Sequence, residues 1–162
     1  MPRSFSPVVG DSPRLLILGS MPGLESLRRK QYYGHPQNQF WRLLGEVVGA
    51  DLAALDYAAR LDALTGRGIA LWDTIKACER EGSLDSDICE EEPNAVARLV
   101  RETGIKAVFL NGGKAKQMFA RHMAEDFPSS VAVIALPSSS PAAASIPYPE
   151  KLLRWRRIAE FL

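Results

Sequence analysis

The stretch LLILGSMPGLESLRRKQYYGHPQNQFW, residues 15–41, opens on four apolar residues and is stopped sharply by Gly19. A short apolar run punctuated by glycine is the pattern of a buried strand. Polar chemistry begins where that strand ends, in a long loop carrying Tyr32, Tyr33, His35, Asn38, Phe40 and Trp41 among Gly19, Pro22, Gly23, Gly34 and Pro36. In an open α/β sheet the loops at the carboxyl ends of the strands line the ligand crevice, so this loop is the first site candidate. Its aromatic content suits a flat ligand.

A plainer account covers part of the same stretch. Phe40, Trp41, Leu43, Leu44, Val47 and Val48 have helical spacing, so Asn38 suits the N-cap of a helix with an apolar face and with Gly49 at its end. Capping and chemistry are compatible roles for one asparagine.

Downstream, apolar runs alternate with amphipathic ones. Leu55–Thr65 predicts a helix capped by Asp56, Ile69–Trp72 a second buried strand followed by Asp73-Thr74, and Ala107–Leu110 a third. Asn111-Gly112-Gly113 turns the chain into a helix with Ala115, Met118 and Phe119, and Val131–Leu136 is the fourth strand. Between them, Cys78–Glu92 is charged and contains Gly82 and Ser83, which predicts a surface loop, and Pro93 suits the first turn of a helix ending at Gly104. After the fourth strand, Pro137-Ser138-Ser139-Ser140-Pro141-Ala142 leads through Pro147 and Pro149 into a last helix with Leu152, Leu153, Ile158, Phe161 and Leu162. Strands alternating with helices predict a parallel sheet covered on both faces.

The bulk properties narrow the function classes. A chain of 162 residues with 46% hydrophobic content supports one compact domain, residues 1–162, with 1–13 as an N-terminal extension. The formal net charge of +1 announces no nucleic-acid binder, so any such surface must be local. Local clusters exist at Arg28-Arg29-Lys30 and at Lys151, Arg154, Arg156 and Arg157, against an acidic middle of Glu79, Glu81, Asp85, Asp87 and Glu90–Glu92. Such runs serve equally as solvated faces. Two cysteines, Cys78 and Cys89, and two separated histidines, His35 and His122, give neither a metal site nor a disulfide framework, so no metal or cofactor is expected. Met1–Pro13 lacks the apolar core of a secretory signal and no run suits a bilayer crossing, which points to the cytoplasm.

Neither a Walker phosphate loop, a GxGxxG fingerprint nor a GxSxG elbow occurs. Instead GSMPG followed by QYYGHPQNQFW, with WDTIKACEREGSLDS in the middle, FLNGGKA after the third strand and LPSSSPA after the fourth, resembles the uracil-DNA glycosylase superfamily. The nearest branch in that resemblance is the hypoxanthine-DNA (deoxyinosine) glycosylases, and it spans Leu15–Leu162 in order. It implies a three-layer α/β/α fold around a four-stranded parallel sheet, no metal, and hydrolysis of the bond between a damaged base and deoxyribose.

The resemblance also implies roles. An enzyme acting on a base in a duplex must extrude it, stack it and read its edge. Tyr33 lies where relatives stack the flipped base, with Gly19, Ser20 and Met21 around it, although packing alone would also explain Tyr33. Asn38 matches the asparagine on which this branch depends; its amide can orient water or bond the base, but it is no strong base. His35 is second to it as a catalytic candidate, or serves only loop structure. Asp73 lies where some relatives read the base edge, and a carboxylate there favours the N1–H of hypoxanthine over the N1 acceptor of adenine, or it simply caps a turn. Ser138, Ser139, Ser140, Pro141 and Ala142 would pinch phosphates and enter the gap left by the flipped nucleotide, or form an ordinary turn.

Two departures matter. Met21 stands where many relatives have an aspartate or asparagine that places the water, and Leu136 where a histidine or asparagine precedes Pro-Ser. The water-placing role must move, to Asn38 first. The expectation is a monofunctional glycosylase, working as a monomer on DNA containing deoxyinosine or uracil, without a membrane partner; Lys114 has nothing that marks it as a lyase amine. A uracil or mismatch-specific enzyme, a non-catalytic binder of nucleobases or damaged DNA, and a hydrolase of free nucleosides are the alternatives.

Overall fold

The computed structural model describes residues 2–80, 82–143 and 145–162. Glu81, part of the acidic stretch, lies outside the described residues. Four parallel strands, β1 (Leu15–Gly19), β2 (Ile69–Asp73), β5 (Ala107–Asn111) and β6 (Ala132–Leu136), form the central sheet in the order β2-β1-β5-β6. Register pairs Gly19 with Asp73, Leu18 with Leu110, and Asn111 with Leu136. The polar strand-end residues therefore stand side by side.

Because successive side chains of a strand point to opposite faces, the apolar runs fill two cores at once. Leu15, Ile17, Ile69, Leu71 and Phe109 pack with α2 (Phe40–Val48), α3 (Tyr57–Thr65) and α6 (Tyr148–Trp155). Leu16, Leu18, Ala70, Val108 and Leu110 pack with α4 (Val96–Glu102) and α5 (Gly113–His122) on the other face. This is the three-layer architecture expected.

The helix expected after the opening loop forms, but its N-cap is Gln39, which makes no side-chain cap bond, and Asn38 stands one residue before it. Asn38 Oδ1 accepts the Phe40 N–H at 2.9 Å. Gly49, at φ 74°, closes α2 by donating its N–H to the Gly45 carbonyl. Phe40 is fully enclosed, a burial that stabilises by about 2 kcal/mol. Asp56 caps α3 through a 2.9 Å bond from Ala59 N–H. A short helix inside the opening loop, α1 (Leu24–Arg29), carries no expectation from apolar spacing.

Two readings of the middle are corrected. Cys78–Glu92 is not a surface loop throughout: β3 (Ile75–Glu79) and β4 (Cys89–Pro93) form an antiparallel hairpin outside the main sheet, and only the stretch between them is a loop. Pro93 closes β4 opposite Ile75 rather than opening a helix, and α4 begins at Val96 after Asn94 has bonded the Thr74 carbonyl through its N–H and the Asp73 carbonyl through its amide. The N-terminal segment joins the fold through isolated bridges, Val8 to Leu71 and Arg3 to Ala77.

The charged clusters are largely self-compensated. Glu25 takes both Arg28 and Arg29, while Arg154 pairs with Glu150. Lys151 leaves the basic cluster altogether: it is buried, and its Nζ donates to Gln39 Oε1 at 3.0 Å.

Candidate active site

The chain passes from β1 to β2 on one side and later to β5 on the other, so the order reverses beside β1, the place where open α/β sheets bind ligands. A cavity of about 370 Å³ opens there, at the small end of the range for ligand sites. Its lining brings together the sequence candidates Gly19, Ser20, Met21, Tyr33, His35, Asn38, Asp73 and Ser138–Ala142.

Gly19 is needed for proximity. A Cβ there would lie 2.5 Å from Asp73 Oδ1 and 3.0 Å from the Tyr33 hydroxyl. Asp73 is buried, and its Oδ2 has no hydrogen-bond partner among the described residues. Burial, with the nearby Asp85 charge adding and Arg80 opposing, pushes its carboxyl up to about 7. Such a group offers an O–H donor as well as an acceptor near neutral pH.

Tyr33 has a left-handed backbone, φ 53°, a conformation that costs a non-glycine residue about 1 kcal/mol. Its ring stacks on Phe40 at 3.8 Å between centroids and 11° between planes, and its hydroxyl receives the Asn111 amide at 3.3 Å. Desolvation raises its pKa, so it stays a neutral phenol.

Asn111 was absent from the sequence candidates, and it is the hub of the floor. Its Oδ1 accepts the Ser139 N–H at 3.0 Å while its amide donates to Ser139 Oγ at 3.0 Å as well as to Tyr33. The Ser139 carbonyl accepts Gln39 N–H at 3.0 Å, and Lys151 completes the chain through Gln39. Strand-end position was the available signal, since Gly19 and Asp73 were found by it.

The serine loop divides by role. Ser139, 1% exposed, braces the loop against Asn111 and does not suit contact with phosphate, contrary to expectation. Ser138 Oγ accepts the Ser140 N–H at 3.1 Å and Ser140 Oγ the Ala142 N–H at 3.2 Å, so both hydroxyls shape the turn. Pro141 and Ala142 form an exposed tip. The Trp155 indole N–H fastens the base of this loop through the Pro137 carbonyl at 2.9 Å.

Met21 and His35 stand differently. Met21, 6% exposed, packs into a small core with Ile75, Cys78, Ile88 and Met118 under the β3–β4 hairpin. Its thioether is a packing element. His35 is exposed, with Nδ1 accepting the Gln37 N–H at 3.0 Å, a local loop bond. Ser83, Leu84, Asp85 and Ser86, from the stretch expected to be plain surface, complete the rim. No cluster of three or more His, Cys, Asp or Glu among the described residues is placed to hold a metal ion.

With this geometry in place, known proteins give its context. The sequence profile of the Uracil DNA glycosylase superfamily matches residues 7–158. The chain belongs to that superfamily. It is 47% identical over 113 residues to a "Hypoxanthine DNA glycosylase" of Methanosarcina barkeri, covering 69% of this chain and 72% of that one. A protein of the same name from Methanosarcina acetivorans is 43% identical over 114 residues, 70% and 72% of the two chains. The solution NMR structure of a candidate uracil DNA glycosylase from Methanosarcina acetivorans superposes with a TM-score of 0.83 at 35% identity, covering 97% of this chain and 95% of that one. The protein is thus a DNA glycosylase, a hydrolase of N-glycosyl bonds. No helix among the described residues is long and apolar enough to cross a membrane.

Proposed function

We propose that this chain, acting as one domain and as a monomer that encloses its own site, releases hypoxanthine from deoxyinosine in DNA and leaves an abasic site. What carries the reading is the unpartnered, buried Asp73 carboxyl in the cavity lined by Tyr33 and Asn38. Hypoxanthine presents N1–H beside O6, and a neutral carboxylic acid answers both, accepting from N1–H and donating to O6. The ionised form keeps the first bond and refuses the N1 acceptor of adenine. The base stacks on the Tyr33 face opposite Phe40, within the hydrophobic part of the pocket.

Asn38 spends one lone pair of Oδ1 on the Phe40 N–H, which leaves its amide N–H₂ to hold the base or the water. The Pro141-Ala142 tip fills the gap in the duplex, and the serine loop, its Ser139, Ser140 and Ala142 N–H groups engaged within the protein, meets the flanking strand through its exposed surface. Water supplies the oxygen for C1′, and no amine of the protein bonds the sugar. DNA backbone cleavage is therefore not part of the reaction.

Uracil is the second substrate to consider, because its N3–H and O4 present the same donor–acceptor pair to Asp73. The test is base release from matched duplexes carrying deoxyinosine, deoxyuridine or no lesion, scored by alkali cleavage. Fastest release from deoxyinosine is expected. Faster release from deoxyuridine would assign the pocket to uracil, and none from any lesion would leave a base-binding protein.

A further inference from the structure

Two of the three pocket groups considered for the water have little capacity to accept its proton. Met21 is turned into a core, and Asn38 is an amide with one lone pair already engaged. His35 is exposed and its Nδ1 is held by Gln37. Asp73, beside Gly19, is engaged with the base edge in the reading above, so the water has no carboxylate of its own among the groups described so far.

A carboxylate reaches that place from elsewhere in the chain. Asp85 opens a single 3₁₀ turn, Asp85–Asp87, in the loop between β3 and β4, and lines the cavity. Three contacts bind this loop to the first motif on both sides of Met21. Ser20 Oγ donates to Asp85 Oδ1 at 2.7 Å, the Arg80 guanidinium donates to the Pro22 carbonyl, and Ser83 Oγ accepts the Leu24 N–H at 2.8 Å. The Arg80 side chain is 1% exposed, stands 3.8 Å from Asp85 Oδ1 through Nη1, and has no hydrogen-bond partner for Nε or Nη1 among the described residues. Desolvation raises the Asp85 pKa, and the Ser20 hydroxyl and the buried Arg80 cation oppose that rise by favouring the charged form; the Asp85 side chain is 45% exposed toward the cavity mouth and solvent. Both polar contacts fall on Oδ1, so Oδ2 is without a partner among the described residues.

We infer that Asp85 is a further catalytic residue: its carboxylate binds the attacking water on the first-motif side of the cavity and accepts the proton that this water loses. The inference rests on the glycosylase reading above. The oxygen of water bonds C1′, the C1′–N9 bond breaks with its electron pair leaving on hypoxanthine, and the water proton passes to Asp85 and then to solvent. The same negative charge faces the oxocarbenium-like sugar before water closes on it. The role that Met21 cannot fill is supplied across the pocket wall by a residue 65 positions from its tether Ser20.

Single-turnover release of hypoxanthine from a deoxyinosine duplex, followed against pH for wild type, Asp85→Asn and Asp85→Glu, tests this. Asp73, Arg80 and Lys114 act on the Asp85 charge, and Glu25 and His35 share the cavity, so the series is repeated with Asp73→Asn as background to remove the neighbouring titration. Asp85→Asn, which preserves shape and can still accept from Ser20, is expected to lose at least ~100-fold in rate and to lose the rise of rate with pH. Its affinity for the same duplex stays within about threefold of wild type, which also reports folding. Asp85→Glu recovers part of the rate and the pH dependence together. An Asp85→Asn rate within threefold of wild type, or a slow variant that retains the wild-type rise with pH, would overturn the assignment. Failure of wild type to release any base removes the glycosylase reading instead, an outcome distinct from either.

Discussion

The floor and the rim of the cavity are built by different means. The floor is Gly19, Asp73 and Asn111, three residues at adjacent strand ends whose positions follow from sheet register. The rim is the 83–86 loop and the 138–143 loop, held by hydroxyl-to-backbone and side-chain bonds such as Ser83 with Leu24 and Ser138 with Ser140. A floor fixed by backbone ladders keeps donors and acceptors still for reading an edge, whereas a rim of short polar ties can adjust to a duplex. In the proposed function the floor reads the base, and the rim holds the DNA and the water.

Breaking the floor at its hub should cost both stability and rate. Asn111→Ala removes three hydrogen bonds in a buried setting and orphans the Ser139 N–H, which costs about 2–3 kcal/mol of stability. With Tyr33 and the serine loop both released, base release from deoxyinosine should fall by roughly 100-fold, a loss consistent with misplacement of catalytic groups. Denaturant unfolding and single-turnover kinetics check the two parts separately, and a variant with normal kinetics would show that the floor is not a unit.

Asp73→Asn sharpens the same contrast through pH. The folded carboxyl, at about 7, holds its proton more tightly than an unfolded aspartate, whose value is 3.8. Its contribution favours folding fully below the unfolded value and is lost as pH rises through the folded one. Wild type should therefore lose stability between pH 4 and pH 8 relative to Asp73→Asn, by up to about 4 kcal/mol at the alkaline end. Thermal unfolding of both proteins across that range measures it, and parallel curves would mean that Asp73 titrates normally.

The sequence made the floor partly legible and the rim hardly at all. Strand-end logic located Gly19 and Asp73 because apolar runs ending in Gly or Asp announce themselves, and the caps at Asp56 and Gly49 were written in residue type, whereas the N-cap expected at Asn38 falls on Gln39. The same logic applied to Asn111 would have found it, but Asn-Gly-Gly also spells a turn. The β3–β4 hairpin escaped because Glu90–Glu92 and Pro93 are poor strand formers, and pairing with Ile75 and Ala77 decided the outcome. Asp85 sat in a charged run, and its tether to Ser20 is a contact that no local pattern encodes. Met21 was noticed as a departure, yet its turn into a core with Ile75 and Met118 depends on the hairpin.

A rim change should act weakly and on a different quantity. Ser140→Ala deletes the hydroxyl that accepts Ala142 N–H in an open loop, at about 0.5–1 kcal/mol. Duplex affinity should drop two- to fivefold while the rate on bound substrate is unchanged. A large loss of rate would move this serine to the chemistry.

The central claim, that the reaction takes place in this strand-end cavity, is tested most directly by Asn38→Ala. Single-turnover release of hypoxanthine is measured with the variant saturating a deoxyinosine duplex, beside its binding of that duplex. Because Asn38→Ala removes one local hydrogen bond, that from the Phe40 N–H, at about 1 kcal/mol, the variant remains folded. The account predicts a rate at least ~100-fold below wild type with binding retained. Release at the wild-type rate would contradict it and place the chemistry elsewhere in the molecule.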